Sequence, residues 1–191
     1  MLANGLMYLE TEAALSVREA QIATLQRFWP GSVEVLKSQA DLANCLTLLG
    51  RFEKALPIFR AVYNCALELR GATHPDTIID ACNYVNSLLD NRHFTEAKQL
   101  ARLQQRLARP LSERNRARLE ANGILAQALF QAFEAGDPGS TRADLLESEV
   151  LIADAVKIMR HTVGAQHKES LDAINNLAVV RQAIADTPPG S

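Results

Sequence analysis

From Leu36 to Leu49 apolar residues recur at helical spacing, with Leu36, Ala40, Ala43 and Leu46 on one side. Gly50 then offers a left-handed C-cap, and Gly50, Arg51 and Phe52 turn the chain. A second run, Glu53 to Leu69, places Ala55, Ile58, Phe59, Val62, Ala66 and Leu69 on one stripe before Gly71 ends it. Pro57 is expected near the first turn of that helix, where a missing amide is tolerated. The same alternation predicts helices near 76–90, 94–109, 115–134, 143–163 and 169–185. Two more are expected ahead of these, one near 9–28 and one whose front is cut away before Leu2, and no segment has the period of a strand. The chain thus reads as one that begins inside a helix and ends after an unpaired one.

The pattern repeats itself. A shift of 42 residues places Phe52 on Phe94, Ala55 on Ala97, Asn44 on Asn86 and Leu46 on Leu88. A shift of 93 lays Gly164, Ala165, His167, Glu169 and Ser170 over Gly71, Ala72, His74, Asp76 and Thr77. One copy therefore carries about nine extra residues, and the Gly/Pro/Ser-rich stretch GDPGSTRAD, 136–144, is the candidate insertion. The opening LANGL, from Leu2, echoes the LANCL of 42–46 at a slightly shorter spacing. Repetition at this period indicates stacked helix pairs, each unable to bury its apolar side alone. Ala43, Ala126 and Ala178 share one equivalent position and Ala55 and Ala97 another; a small residue there lets two backbones approach to ~8–10 Å.

Composition agrees with a folded, helical protein: 48% of residues are hydrophobic and 22% charged, while aromatics are scarce at 5%. A net charge of −2 supplies no global attraction to nucleic acid or anionic lipid. No leader-like segment opens the chain and no apolar run approaches the ~18 residues needed to span a bilayer, so a soluble, cytoplasmic protein without membrane partners is expected. Cys45, Cys65 and Cys82 are odd in number and lack ligand spacing, which points to small core residues rather than a disulfide or zinc framework.

Charge is nevertheless uneven. Between Lys98 and Arg118 stand seven cations against Glu113 alone, and Lys98, Arg102, Arg106 and Arg109 recur along one helix face. An acidic stretch follows, with Glu134, Asp137, Asp144, Glu147, Glu149 and Asp154. The stripe is a candidate patch for RNA or an acidic ligand, or else a solvated face paired with the acidic helix beside it. For catalysis there is no pattern: GxSxG, a phosphate loop and HExxH are all missing, and His74 and His167 recur as turn residues suited to capping helices. No catalytic residue, metal ligand or cofactor is assigned, and the chain is not expected to be an enzyme.

The stretches LANCLTLLGRFEKALPIF (42–59), THPDT (73–77) and SLDAINNLA (170–178) resemble tetratricopeptide repeats of the 42-residue kind found in kinesin light chains. The resemblance runs from Leu2 to about Ala185, although GILAQAL (123–129) lacks the paired Asn and the heptad coiled coil of kinesin light chains is absent. It implies an all-α, right-handed α-solenoid of stacked antiparallel helix pairs. The array is expected over 1–186, with a partial unit at 1–30, units near 31–72, 73–114 and 115–166, a final partial unit at 167–186, and a disordered tail at 187–191.

The resemblance also implies that the first helix of each unit lines a concave groove whose polar side chains hold a peptide. A side-chain amide suits that role because it offers donors and an acceptor together. Asn44, Asn86 and Gln127 are equivalent, Asn83 and Asn176 match each other, and Asn175 completes the last copy. The chain is therefore expected to be a scaffold binding a peptide segment of a protein partner. RNA or an acidic ligand on the stripe 98–118 is the alternative, with nucleic acid the less favoured partner. The last helix is expected to expose Leu171, Ile174, Leu177 and Ala178 and to allow self-association.

Overall fold

A computed structural model of the chain describes residues 13, 15–17, 19–25, 27, 32–162, 164 and 166–188. Seven complete helices are described: α1 Val33–Leu48, α2 Phe52–Arg70, α3 Pro75–Asp90, α4 Phe94–Ala108, α5 Arg116–Glu134, α6 Arg142–Thr162 and α7 Lys168–Asp186. The described residues between 13 and 27 are helical as well, and among the described residues there is no strand. The echo of the repeat at Leu2–Leu6 lies outside the described residues, as does the tail from 189 onward.

Local chemistry starts and stops these helices where periodicity placed them. The Ser32 hydroxyl accepts from the Val35 amide at 3.3 Å, His74 Nδ1 from the Asp76 amide at 3.2 Å, and Asn115 Oδ1 from the Ala117 amide at 2.9 Å. His167 and His93 hold the corresponding N-cap positions of α7 and α4. At the far ends, α1, α3 and α5 each reverse on a left-handed residue, Gly50, Arg92 and Gly136. The Arg51 amide reaches the Leu46 carbonyl at 2.8 Å and the Asp137 amide reaches that of Ala132 at 2.9 Å, satisfying carbonyls the helix itself cannot.

One expectation is corrected here. Because α2 begins at Phe52 and its first i→i−4 bond runs from Ala55 to Arg51, Pro57 falls in the second turn, beyond the free amides of the N-terminus. Its ring leaves the Glu53 carbonyl without the bond an ordinary residue would donate.

The chain divides into two compact units, residues 1–91 and 92–191. In the first, α1 packs on α2 and α2 on α3. The core there is built from Ala43, Ala55, Ala66, Ile78, Ala81, Val85 and Leu88, all without solvent exposure. Small residues at the crossings let helices approach closely enough for side chains to reach a neighbour's backbone. Thus the Thr77 hydroxyl donates to the Ala66 carbonyl at 3.3 Å, and the Asn91 amide donates to the Phe52 carbonyl at 3.1 Å. Tyr84 stacks on Tyr63 with ring centroids 6.1 Å apart, and its hydroxyl accepts from Arg60 Nε at 2.6 Å.

In the second unit α5 packs on α4, α6 on α5 and α7 on α6. Ala97, Ala101, Ala121, Leu125, Ala128, Leu129, Ala132 and Leu145 form its core. The Ser148 hydroxyl donates to the Ala126 carbonyl at 2.9 Å, repeating across α5 and α6 the device of Thr77. Of the three cysteines only Cys82 is buried; Cys45 and Cys65 are half-buried and all three are free thiols. Leu177 also departs from expectation. It is 9% exposed because it and Val180 face α6, while Leu171, Ala178 and Val179 stay open. Arg181, which the 93-residue register aligns with buried Leu88, is instead exposed and pairs with Glu149 at 2.7 Å.

Candidate peptide-binding face and basic stripe

The six amides predicted from register sit on four helices, two in each unit. In the first unit Asn44 on α1 and Asn86 on α3 are exposed, and Asn83 is half-buried. In the second, Gln127 on α5 and Asn175 and Asn176 on α7 are exposed. The local reason recurs. Asn44 follows buried Ala43, Asn86 stands between buried Val85 and Ser87, and Gln127 stands between buried Ala126 and Ala128. Each amide is therefore the outward residue of a helix whose adjacent positions face the core. No side-chain hydrogen bond involves any of the six among the described residues, so their donors and acceptors are not spent on bridging helices. At the aligned position of α7 the amide is replaced by Val179, 53% exposed.

The cation stripe is divided by its surroundings. Lys98 is 9% exposed and its Nζ donates to Asp137 Oδ2 at 2.9 Å, the Gly139 carbonyl at 3.0 Å and Ser140 Oγ at 2.8 Å. All three acceptors belong to the inserted stretch, so this lysine is the anchor around which the insertion folds. The hydrogen bond from Lys98 holds the Asp137 carboxyl below the usual carboxylate range, overriding the upward push of burial. Arg102 grips the start of α6 through Asp144 at 2.9 Å and Glu147 at 2.6 Å. Arg106 and Arg109 are exposed; among the described residues the Arg109 guanidinium bonds only neutral Gln105, at 3.4 Å.

The three-acceptor cradle of Lys98 was not foreseen from the chain alone. The one available signal was a lysine directly after Ala97 on the core side of α4. A second pairing also lay hidden: Arg70, at the end of α2, is hydrogen-bonded to Asp80 of α3 and lies 3.6 Å from Asp76. Burial raises the Asp80 carboxyl above its usual range, and Arg70 offsets only part of that push. Among the described residues no group of three or more His, Cys, Asp or Glu could hold a metal ion, and no helix is long and apolar enough to cross a membrane.

No protein-family model matches the sequence, and no curated protein matches it. Solved structures do. The nearly identical TPR-like repeats of a candidate kinesin light chain from Podosopora anserina align over 92% of this chain and 80% of theirs, at 20% identity and a TM-score of 0.69. A single-substitution variant of those repeats aligns over 92% and 79%, at 20% identity and a TM-score of 0.71. The chain has a tetratricopeptide-like repeat fold. BtubC (BKLC) from P. vanneervenii is similar over 92% of this chain and 66% of its own, at 17% identity and a TM-score of 0.65. The all-α, tetratricopeptide-like solenoid class expected from the repeats is thus the class observed.

Proposed function

We propose that this tetratricopeptide-like chain is a protein-interaction scaffold that holds a peptide segment of a partner through its outward amides. Asn44, Asn83 and Asn86 serve in the first unit, and Gln127, Asn175 and Asn176 in the second. One observation carries the reading: the same helix position presents an amide in three successive repeats, as Asn44, Asn86 and Gln127, and among the described residues none of these makes a side-chain hydrogen bond. An amide that bridged helices would be satisfied locally; one that serves a ligand is left open until the ligand supplies its partners. The proposal includes no reaction and no cofactor. Three free thiols agree with a reducing, cytoplasmic setting.

The test pairs affinity with stability. A peptide selected on the whole chain by display is titrated against wild type and Asn44→Ala/Asn86→Ala. Each neutral hydrogen bond contributes ~0.5–1.5 kcal/mol net, so the pair should weaken binding roughly five- to over a hundredfold. The melting temperature should hold or rise, since alanine is the better helix former. Unchanged affinity would move the ligand off this face, and a collapsed melting temperature would make the amides structural.

A further inference from the structure

We propose that the arginine-lined connection between α4 and α5 is a docking surface for an acidic peptide segment of a partner protein, distinct from the amide-bearing positions. Arg106, Arg109, Arg114 and Arg116 are all exposed. The single acid between the first and the last of them is Glu113. Among the described residues no carboxylate pairs with Arg106, Arg109 or Arg114. Arg116 meets Glu120 only at 3.6 Å, with 79% and 48% of the two side chains exposed. Lys98 and Arg102 upstream are neutralised by the insertion and α6, so the stripe changes character midway along α4: two cations are consumed and four are offered.

The offered group is organised. Arg118 Nη1 donates to the carbonyls of Arg109 at 3.2 Å and Leu111 at 2.8 Å, pinning the connection across its ends. Asn115 caps α5, whose first turn carries no acidic residue, so the positive end of the helix dipole adds to the same field. Arg116 and Gln127 are separated by about 16 Å along α5, which makes this a second surface rather than an edge of the first.

Three observations choose the occupant. Guanidinium groups present paired donors that match carboxylates, and the segment uses arginine throughout, with no lysine between Lys98 and Lys157. Residues 95–129 contain no Phe, Tyr or Trp, which removes the stacking that single-stranded nucleic acid needs. The acidic stretch of a second copy is largely spent, because Asp137, Asp144, Glu147 and Glu149 are already paired within this unit.

The experiment measures fluorescence anisotropy of a labelled poly-glutamate peptide on the full chain. Arg106→Gln/Arg109→Gln/Arg114→Gln/Arg116→Gln is compared with Arg92→Gln/Lys157→Gln/Arg160→Gln/Lys168→Gln, a control on exposed cations with the same change in net charge. The first variant should lose about tenfold or more in affinity and the control less than about twofold. Equal losses would reduce the effect to diffuse charge and overturn the proposal. So would oligouridylate or phosphatidylserine vesicles displacing the peptide at lower concentration than unlabelled poly-glutamate, since either assigns the surface to another class of partner. Helicity is checked by circular dichroism. If the fourfold variant loses it, Arg106→Gln/Arg109→Gln and Arg114→Gln/Arg116→Gln carry the same test separately, each expected to weaken binding about threefold or more.

Discussion

Replacing Lys98 by methionine keeps an apolar stem of similar length against the core and removes the cation at the centre of the insertion. Three acceptors within 3.0 Å then lose their donor, and the Asp137 carboxylate is left without a counter-charge. A hydrogen bond to a charged group contributes about 1.5–3 kcal/mol, and breaking a buried pair costs about 3–5 kcal/mol. The side chains of Lys98 and Asp137 keep 11% and 13% exposure, so some water can re-solvate the survivor and the expected loss is about 2–4 kcal/mol. The loss should be local to the insertion and the ends of α5 and α6. Hydrogen exchange followed by mass spectrometry on peptides spanning 132–148 should therefore speed up roughly thirty- to several-hundredfold, with α2 and α3 unaffected. A double-mutant cycle with Asp137→Asn separates the pair from the rest of the cradle and should return a coupling of at least about 1 kcal/mol. Unchanged protection over 132–148, or strict additivity in the cycle, would refute the view that this lysine holds the insertion.

The same pair has a pH signature. Asp137 is held below its unfolded-state value by Lys98, so its contribution is fully present above the ordinary carboxylate range near pH 4 and is lost as pH falls through the lower, folded value. In Lys98→Met the lowering by the lysine is gone, while burial still raises the carboxyl and the hydrogen bonds from Ser140 and Gly139 still lower it. The acid limb for this site should then be flatter in the variant, so its deficit against wild type shrinks as pH drops below about 4.

Other outcomes follow from backbone and burial. Pro57→Ala restores an amide in the second turn of α2 and should stabilise the protein by about 1–3 kcal/mol in urea unfolding; no gain would mean that the helix has absorbed the proline by bending. Arg92 has φ 61°, where an L-residue is strained by about 1–2 kcal/mol. Arg92→Gly should therefore raise stability by about 0.5–1 kcal/mol after the extra freedom of glycine in the unfolded chain is subtracted. Asp80 has the opposite sign from Asp137: with its folded value raised by burial, its favourable contribution is present below the unfolded value and lost as pH rises through the folded one. Asp80→Asn should flatten the stability curve just above pH 4, which a pH series of urea melts would read directly.

Much of this architecture was written in local pattern. A helix is closed by bonds four residues apart, so apolar period, a capping residue and a left-handed exit suffice to place it, and α1 to α7 fall within a few residues of their predicted spans. The outward setting of Asn44, Asn86 and Gln127 was legible for the same reason, because each is flanked by residues of the buried side. Pro57 shows where that reading ends: one residue's difference in the helix start decides whether its missing amide matters. Which cations are free could not be read at all. Lys98 and Arg102 find their carboxylates 39 to 45 positions away, on the insertion and the start of α6, whereas among the described residues Arg106 and Arg109 on the same stripe find none. Leu177 and Ala178 are neighbours in an apolar run, yet only one is covered, because α6 lies on one side of α7. Periodicity says that a face is apolar or charged; only the packing of distant segments says what meets it, because an ion pair or a contact is a property of two surfaces and the chain lists them one at a time.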